Sequence, residues 1–284
     1  MSKICIVSDS SINISEALAK ELDIIVAPLS VIIDEKEYQD QVEMSPQALI
    51  DLLEKGTLVT TAQPNLGLLD TMMETLKQAD YDHIIVFSLS GHLSGTYQAF
   101  VLAANNHELD NITILDTQTL AGPMKDVVIQ AAKMVKAGYS VADILKMADT
   151  VFSMTRSYLF PHTLDQLKRG GRVSATVATL SSLLKIKPLL ILENNGLTID
   201  KFATARTEAK IFDLMIKDIQ TDVENGENMK LHVLHCDGID IAQRLEAELR
   251  KHFKDVEIEV ASLPAVLAAH AGIKSVALQL SKTL

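Results

Sequence analysis

The sequence predicts an α/β protein in two parts, a three-layer domain around a parallel sheet followed by a second α/β domain with a mixed or antiparallel sheet. Three observations carry this expectation. Short β-branched runs alternate with helical stretches through the first half. In the second half, Asn194-Asn195-Gly196 between two apolar runs is a hairpin signal. The 284 residues, 48% hydrophobic and 22% charged, are enough for two cores and lie outside the composition of disordered chains. The expected division is 1–155 and 156–284, with the ligand site between the two.

The elements follow in order. Residues 3–7 form a β-branched run that ends in Ser8, Asp9, Ser10 and Ser11, and Ser15 is placed to cap a helix over 16–21. A second apolar run at 24–33 leads into a polar stretch with Tyr38 and Asp40. Ser45 followed by Pro46 reads as an N-cap and first-turn proline for a helix to Leu53. Residues 83–87 are a buried-strand run, followed by a polar segment at 88–96 and a helix to Ala104. Residues 112–115 give another strand, ending at Asp116. Residues 140–152 are helical by periodicity, after which the texture changes and a helix is expected from Ser174. Residues 189–192 and 197–202 flank the hairpin turn, and strands at 230–236 and 256–260 flank a helix over 239–252.

Composition narrows function. With 26 Lys+Arg against 37 Asp+Glu the chain carries −11, the wrong sign for neutralising nucleic acid phosphates. Cys5 and Cys236 are too few for a disulfide framework or a four-cysteine zinc site. The opening residues lack the pattern of a signal peptide, and no apolar run approaches the roughly 20 residues of a membrane span. The expectation is a cytoplasmic protein with no integral membrane segment, no nucleic acid partner and no metal.

In open parallel sheets, ligands bind at the carboxyl ends of the strands. Four hydroxyl-rich clusters follow strands here: Asp9-Ser10-Ser11, residues 60–64, residues 88–96 and Asp116-Thr117. Hydroxyls and free N–H groups at helix starts suit a carboxylate or phosphate. The same residue types are also ordinary helix caps, so each cluster has a purely structural reading beside the functional one.

Taken together, Asp9-Ser10-Ser11, Thr60-Thr61-Ala62-Gln63-Pro64, Ser94-Gly95-Thr96-Tyr97-Gln98-Ala99, Leu164 with residues 167–172, Ile186-Lys187-Pro188 and His270-Ala271-Gly272 resemble the DegV family, in family order from residue 3 to about residue 280. The resemblance implies a two-domain fatty-acid-binding protein. It further implies an acyl-carrier subunit that presents a long-chain fatty acid to a separate ATP-dependent kinase subunit, which phosphorylates it to an acyl phosphate, with no cofactor and no catalytic residue of the carrier's own. Carried over by residue, it makes Thr61, Ser94 and His270 the carboxylate ligands, with Ser10, Gly95, Thr96 and Arg172 supporting the site and Arg206 docking the kinase. Two hydroxyls and an imidazole can satisfy both carboxylate oxygens without a strong cation. A tail of about 16 carbons, at roughly 0.8 kcal/mol per CH₂, contributes on the order of 10 kcal/mol of gross burial, so the tail dominates affinity and the head group sets orientation. Phe160, Leu164, Leu180, Leu184 and Ile186 are apolar residues available for its tunnel or for core. For Arg172 and Arg206 the alternative is a silent surface ion pair.

The chain departs from the family pattern at Ala62, where a serine is usual, and at Gly272-Ile273-Lys274, where Gly-Pro-Gly is usual. Lys274 brings a positive charge near the proposed site, to bind a phosphate or to face solvent. Three competing readings are open. His232, His235, Cys236 and Asp237 have metal-ligand content, although on a strand the two histidines point to opposite faces. Ser94 with His270 could form a serine acyl hydrolase, without the Gly-x-Ser-x-Gly elbow. The fold also resembles dihydroxyacetone kinase subunits, in which a histidine holds a ketone. No Walker-type string is present, so ATP comes from a partner.

Overall fold

The computed structural model of the protein describes residues 3–179, 186–192, 198–226 and 228–284. In the first half the elements are β1 (Ile4–Asp9), α1 (Glu16–Leu22), β2 (Ile24–Ala27), β3 (Ser30–Ile33), β4 (Lys36–Gln39), α2 (Pro46–Glu54), β5 (Thr60–Ala62), α3 (Leu66–Gln78), β6 (His83–Ser88), α4 (Thr96–Asn106), β7 (Ile112–Asp116), α5 (Gly122–Lys136) and α6 (Val141–Phe152). The second half adds β8 (Arg156–Phe160), α7 (Asp165–Gly170), α8 (Ala175–Thr179), β9 (Lys187–Leu192), β10 (Ile199–Ala205), α9 (Glu208–Asn225), β11 (Met229–Cys236), α10 (Ile239–His252), β12 (Glu257–Ser262), α11 (Ala265–Ala271) and β13 (Ser275–Lys282).

Capping chemistry sets several helix starts, as expected at Ser15 and Ser45 and in addition at Ser140. Ser15 accepts from the Leu18 amide, Ser45 accepts from the Ala48 amide ahead of Pro46, and Ser140 with Asp143 forms a reciprocal capping box. The strands β2-β1-β6-β7 form a parallel sheet. Its side chains alternate between two apolar layers. Cys5, Val7, Ile84 and Val86 face α3 and α4, while Ile4, Ile6, Ile85 and Phe87 face the layer that holds α1 and α5.

The apolar run at 24–33 is two strands rather than one. Pro28, which has no N–H for a ladder, separates β2 from β3. β3 then pairs antiparallel with β4 and with β5, a small sheet that the strand–helix alternation does not announce. The second half is built on the sheet β10-β9-β8-β13-β11-β12, antiparallel except for the β11–β12 pair. The expected hairpin strands are β9 and β10; the turn residues 194–196 lie outside the described residues, as do Leu180 and Leu184.

The halves share one apolar core. Leu234, Leu263, Val266 and Ala269 pack in the same cluster as Ile6, Leu49, Phe87 and Met124, because α11 leaves its own sheet and lies against α2, β3 and β5. This places the end of α11 beside the carboxyl end of the parallel sheet. Among the described residues no helix is long and apolar enough to cross a membrane.

Candidate functional site

Between the carboxyl ends of the parallel strands and the β8–β13 face lies a cavity with about 950 Å³ of space within its walls and mouth. Leu29, Leu89, Leu120, Leu159, Val266 and Leu267 supply much of the apolar wall, and Thr61, Ser94, Arg172 and His270 also line it. The sequence-expected head-group residues therefore come together from β5, the β6–α4 loop and α11.

His270, in the last turn of α11, bonds through Nε2 to Thr61 Oγ1 at 2.7 Å. Gly170 closes against this ring: a Cβ there would stand 2.8 Å from His270 Cε1 and nearer still to Nδ1. Loss of water around the imidazole, reinforced by the nearby Arg172 charge, pushes its pKa down to about 4, so the ring is neutral at pH 7. Because the unfolded chain takes up this proton near pH 6.5 and the folded one only near pH 4, protonation has no effect on stability above that window and increasingly favours the unfolded chain within it. Wild type is therefore expected to lose stability relative to His270→Asn as pH falls from 6.5 towards 4. Urea unfolding across that range measures it, and parallel curves for the two proteins would contradict the assignment.

Ser94 shares a 2.8 Å hydrogen bond with the Thr96 hydroxyl and accepts from the Thr96 amide, a local turn contact ahead of α4, whose N-cap position is Gly95. Thr96 is fully buried and holds Ser94 from below. Gly95 leaves room for Gln63, whose side-chain oxygen a Cβ would strike. Arg172 donates Nε–H to the Leu93 carbonyl at 3.2 Å and Nη1–H to the Gly170 carbonyl. Among the described residues no carboxylate pairs with Arg172, which leaves its charge available to an anion. This corrects the sequence reading of a head group held without a strong cation: one stands on the cavity wall.

Ser10 does not line the cavity. Its hydroxyl donates to Asp40 at 2.6 Å and accepts from the Leu29 amide, so its support is indirect. Asp40 in turn faces the first-turn amides of Ala265 and Val266, although its Oδ1 closes no ordinary hydrogen bond with them. Through Asp40, the end of β1 is tied to the helix that carries His270. Burial pushes the carboxyls of Asp40 and Asp9 up to about 6, and Asp9 holds the β6 loop through the Leu89 amide at 2.7 Å. Arg206 is exposed, away from the cavity, and no carboxylate among the described residues pairs with it. Lys274 neither faces the cavity nor stands free; it pairs with Asp237 at 2.9 Å. Ala62 lines the cavity and offers no hydroxyl.

The structure adds polar groups that the sequence reading missed. Ser157 on β8 and Gln279 on β13 also line the cavity. Gln279 lies in a strand that was not read from the sequence, and its single amide in an apolar stretch is the signal that marks it. The metal reading for the 232–237 string is not supported. His232 turns instead toward Asp126 and Glu259, and Lys230 already binds both carboxylates, at 2.9 and 3.0 Å. A hydrolase arrangement is not assembled either, since Ser94 pairs with Thr96, His270 pairs with Thr61, and no carboxylate among the described residues bonds the ring.

The fold and the site define an α/β protein with an apolar cavity between its sheets and a cluster of hydroxyls, an imidazole and a guanidinium on the cavity wall. A model of the family described as "Uncharacterised protein, DegV family" matches residues 3–283, and the chain belongs to that family. A DegV domain-containing protein of Halalkalibacterium halodurans is 33% identical over 279 residues, 98% of each chain. A fatty-acid-binding DegV family protein from Thermus thermophilus superimposes with a TM-score of 0.89 at 26% identity over 99% of both chains. DegV from Bacillus subtilis, described as a fatty acid binding protein, gives 0.86 at 28% identity over 100% of both.

Proposed function

We propose that this chain binds one long-chain fatty acid in the cavity, with the carboxylate at Thr61, Ser94 and His270 and the tail along the leucine-rich wall. The observation that carries the reading is the segregation of the wall: hydroxyls, an imidazole and an uncompensated guanidinium stand together, while most of the remainder is apolar. The fatty acid binding described for the Thermus and Bacillus proteins supports it. The two domains, 1–155 and 156–284, hold the lipid between them, and the chain needs no cofactor of its own.

The finer part of the proposal is that the bound acid is presented, in the cytoplasm, to a separate kinase subunit that brings ATP and phosphorylates the carboxylate, with exposed Arg206 in the docking surface. Hydroxyl and imidazole ligands orient the carboxylate, and the Arg172 guanidinium on the same wall attracts its charge.

Native mass spectrometry of the purified protein, followed by lipid identification, tests the reading. One fatty acid per chain is expected. Removing a hydroxyl by Thr61→Val or Ser94→Ala is expected to weaken binding about tenfold or more, since a hydrogen bond to a charged group contributes roughly 1.5–3 kcal/mol. A protein that arrives empty and loads with no long-chain acid would overturn the proposal.

A further inference from the structure

We infer that the cavity is built for an acyl chain carrying a mid-chain oxygen, a hydroxy or oxo fatty acid, and that Ser157 reads that oxygen. The inference rests on the fatty acid reading above and narrows it. Its argument is one of hydrogen-bond bookkeeping. The Gln279 side chain is fixed by two backbone groups: the Gly122 N–H donates to Oε1 at 3.0 Å, and Nε2 donates to the Leu120 carbonyl at 3.1 Å. Those partners allow only one orientation of the amide. Its second N–H therefore donates to Ser157 Oγ at 2.8 Å, which makes Ser157 the acceptor in that pair.

The Ser157 hydroxyl proton is left over, and among the described residues no acceptor takes it. Ser157 is nearly buried and lines the cavity, with apolar Leu120, Ala121 and Leu159 also on the wall. A hydroxyl held in such surroundings without an acceptor is costly, and an oxygen on the ligand would relieve that cost.

The position along the chain follows from the sheet. Ser275, at the start of β13, donates to the Gly272 carbonyl, two residues beyond His270. Gln279, paired across the ladder with Ser157, lies four residues farther along the strand. At about 3.4 Å per residue this is roughly 14 Å along β13 from the turn that follows α11, so the oxygen that Ser157 would meet lies on the tail rather than at the carboxylate.

The test compares stearic acid with hydroxystearic acids bearing the hydroxyl near the carboxylate, at mid-chain or near the methyl end, by equilibrium binding to the full chain. In wild type the mid-chain isomer is expected to bind at least as tightly as stearate. The other two should be weaker by about tenfold or more, because their hydroxyls are buried without a partner. Ser157→Ala is expected to lower the ratio of mid-chain hydroxystearate to stearate affinity by about tenfold, and Ser157→Thr, which keeps the hydroxyl, to retain the preference. If all three isomers are penalised equally in wild type, or Ser157→Ala leaves the ratio unchanged, the inference is overturned while the fatty acid reading stands. If stearate itself does not bind, both fall.

Discussion

Replacing Gly170 with alanine is expected to weaken fatty acid binding by at least tenfold while the protein stays folded. The new Cβ would lie 2.8 Å from His270 Cε1 and closer to Nδ1, so the ring must move away. Its 2.7 Å bond to Thr61 is the contact most exposed to that shift. Two head-group ligands are then misplaced together, each worth roughly 1.5–3 kcal/mol toward a carboxylate. The cost to stability is smaller, because alanine gains about 1 kcal/mol of helix propensity at a helical position and overpacking costs about 1–3 kcal/mol. Gly171→Ala is the matched contrast. Its φ of +67° penalises any side chain, by roughly 1–2 kcal/mol, but a Cβ there meets nothing within 4 Å. Gly171→Ala should therefore lower the unfolding midpoint with little change in lipid affinity, and Gly170→Ala should do the reverse. Ligand displacement and urea titrations on both variants measure the two effects, and equal lipid affinities for them would refute the role given to Gly170.

The largest expected loss of stability comes from Lys230→Ala. Lys230 is nearly buried and lies 2.9 Å from Asp126, 3.0 Å from Glu259 and 3.1 Å from Glu257. Fully buried His232 sits between Asp126 and Glu259, with its two ring nitrogens 3.5 Å from one carboxylate each. Without the ammonium, carboxylates from α5 and β12 face each other across a desolvated seam with Lys125 as the remaining cation. Breaking a buried pair from one side costs about 3–5 kcal/mol, whereas removing the exposed Arg244, paired with Glu208 and Asp240, should lower stability far less. His232, then Lys125 and Lys230, hold the Glu259 carboxyl below its usual range. The network therefore stabilises the protein above the ordinary glutamate pKa, and that contribution is lost as pH falls below it. Chemical unfolding of Lys230→Ala and Arg244→Ala side by side gives the comparison; similar losses would show that the seam is not desolvated.

Much of the local order is written in short-range chemistry. Ser15, Ser45 and Ser140 cap the helices they precede because an N-cap needs only a side-chain oxygen two or three residues before its N–H partner. The period-two alternation of β1 and β6 sets two buried faces, and with them the three-layer half. Thr61, Ser94 and His270 were singled out through their resemblance to the DegV motifs, and the structure places all three on one cavity wall, from β5, the β6–α4 loop and α11. The split of residues 24–33 at Pro28 was legible in principle, but the partner that captures β3 was not, because β5 lies about 30 residues away in sequence.

What the sequence by itself determined, then, is part of the set of elements, the family and the groups able to hold a carboxylate. Only the tertiary structure decided which of those groups meet and what surrounds them. His270 reaches Thr61 across 209 positions because α11 packs into the core of the other half. Arg172 stands on the cavity wall with no carboxylate partner among the described residues, and Ser10 bonds Asp40 rather than lining the cavity. Ser157 acquires its free proton only because backbone groups of residues 120 and 122 orient Gln279. The physical reason is common to all four: hydrogen-bond direction, desolvation and charge compensation depend on neighbours brought close by packing, and residue order alone does not specify them.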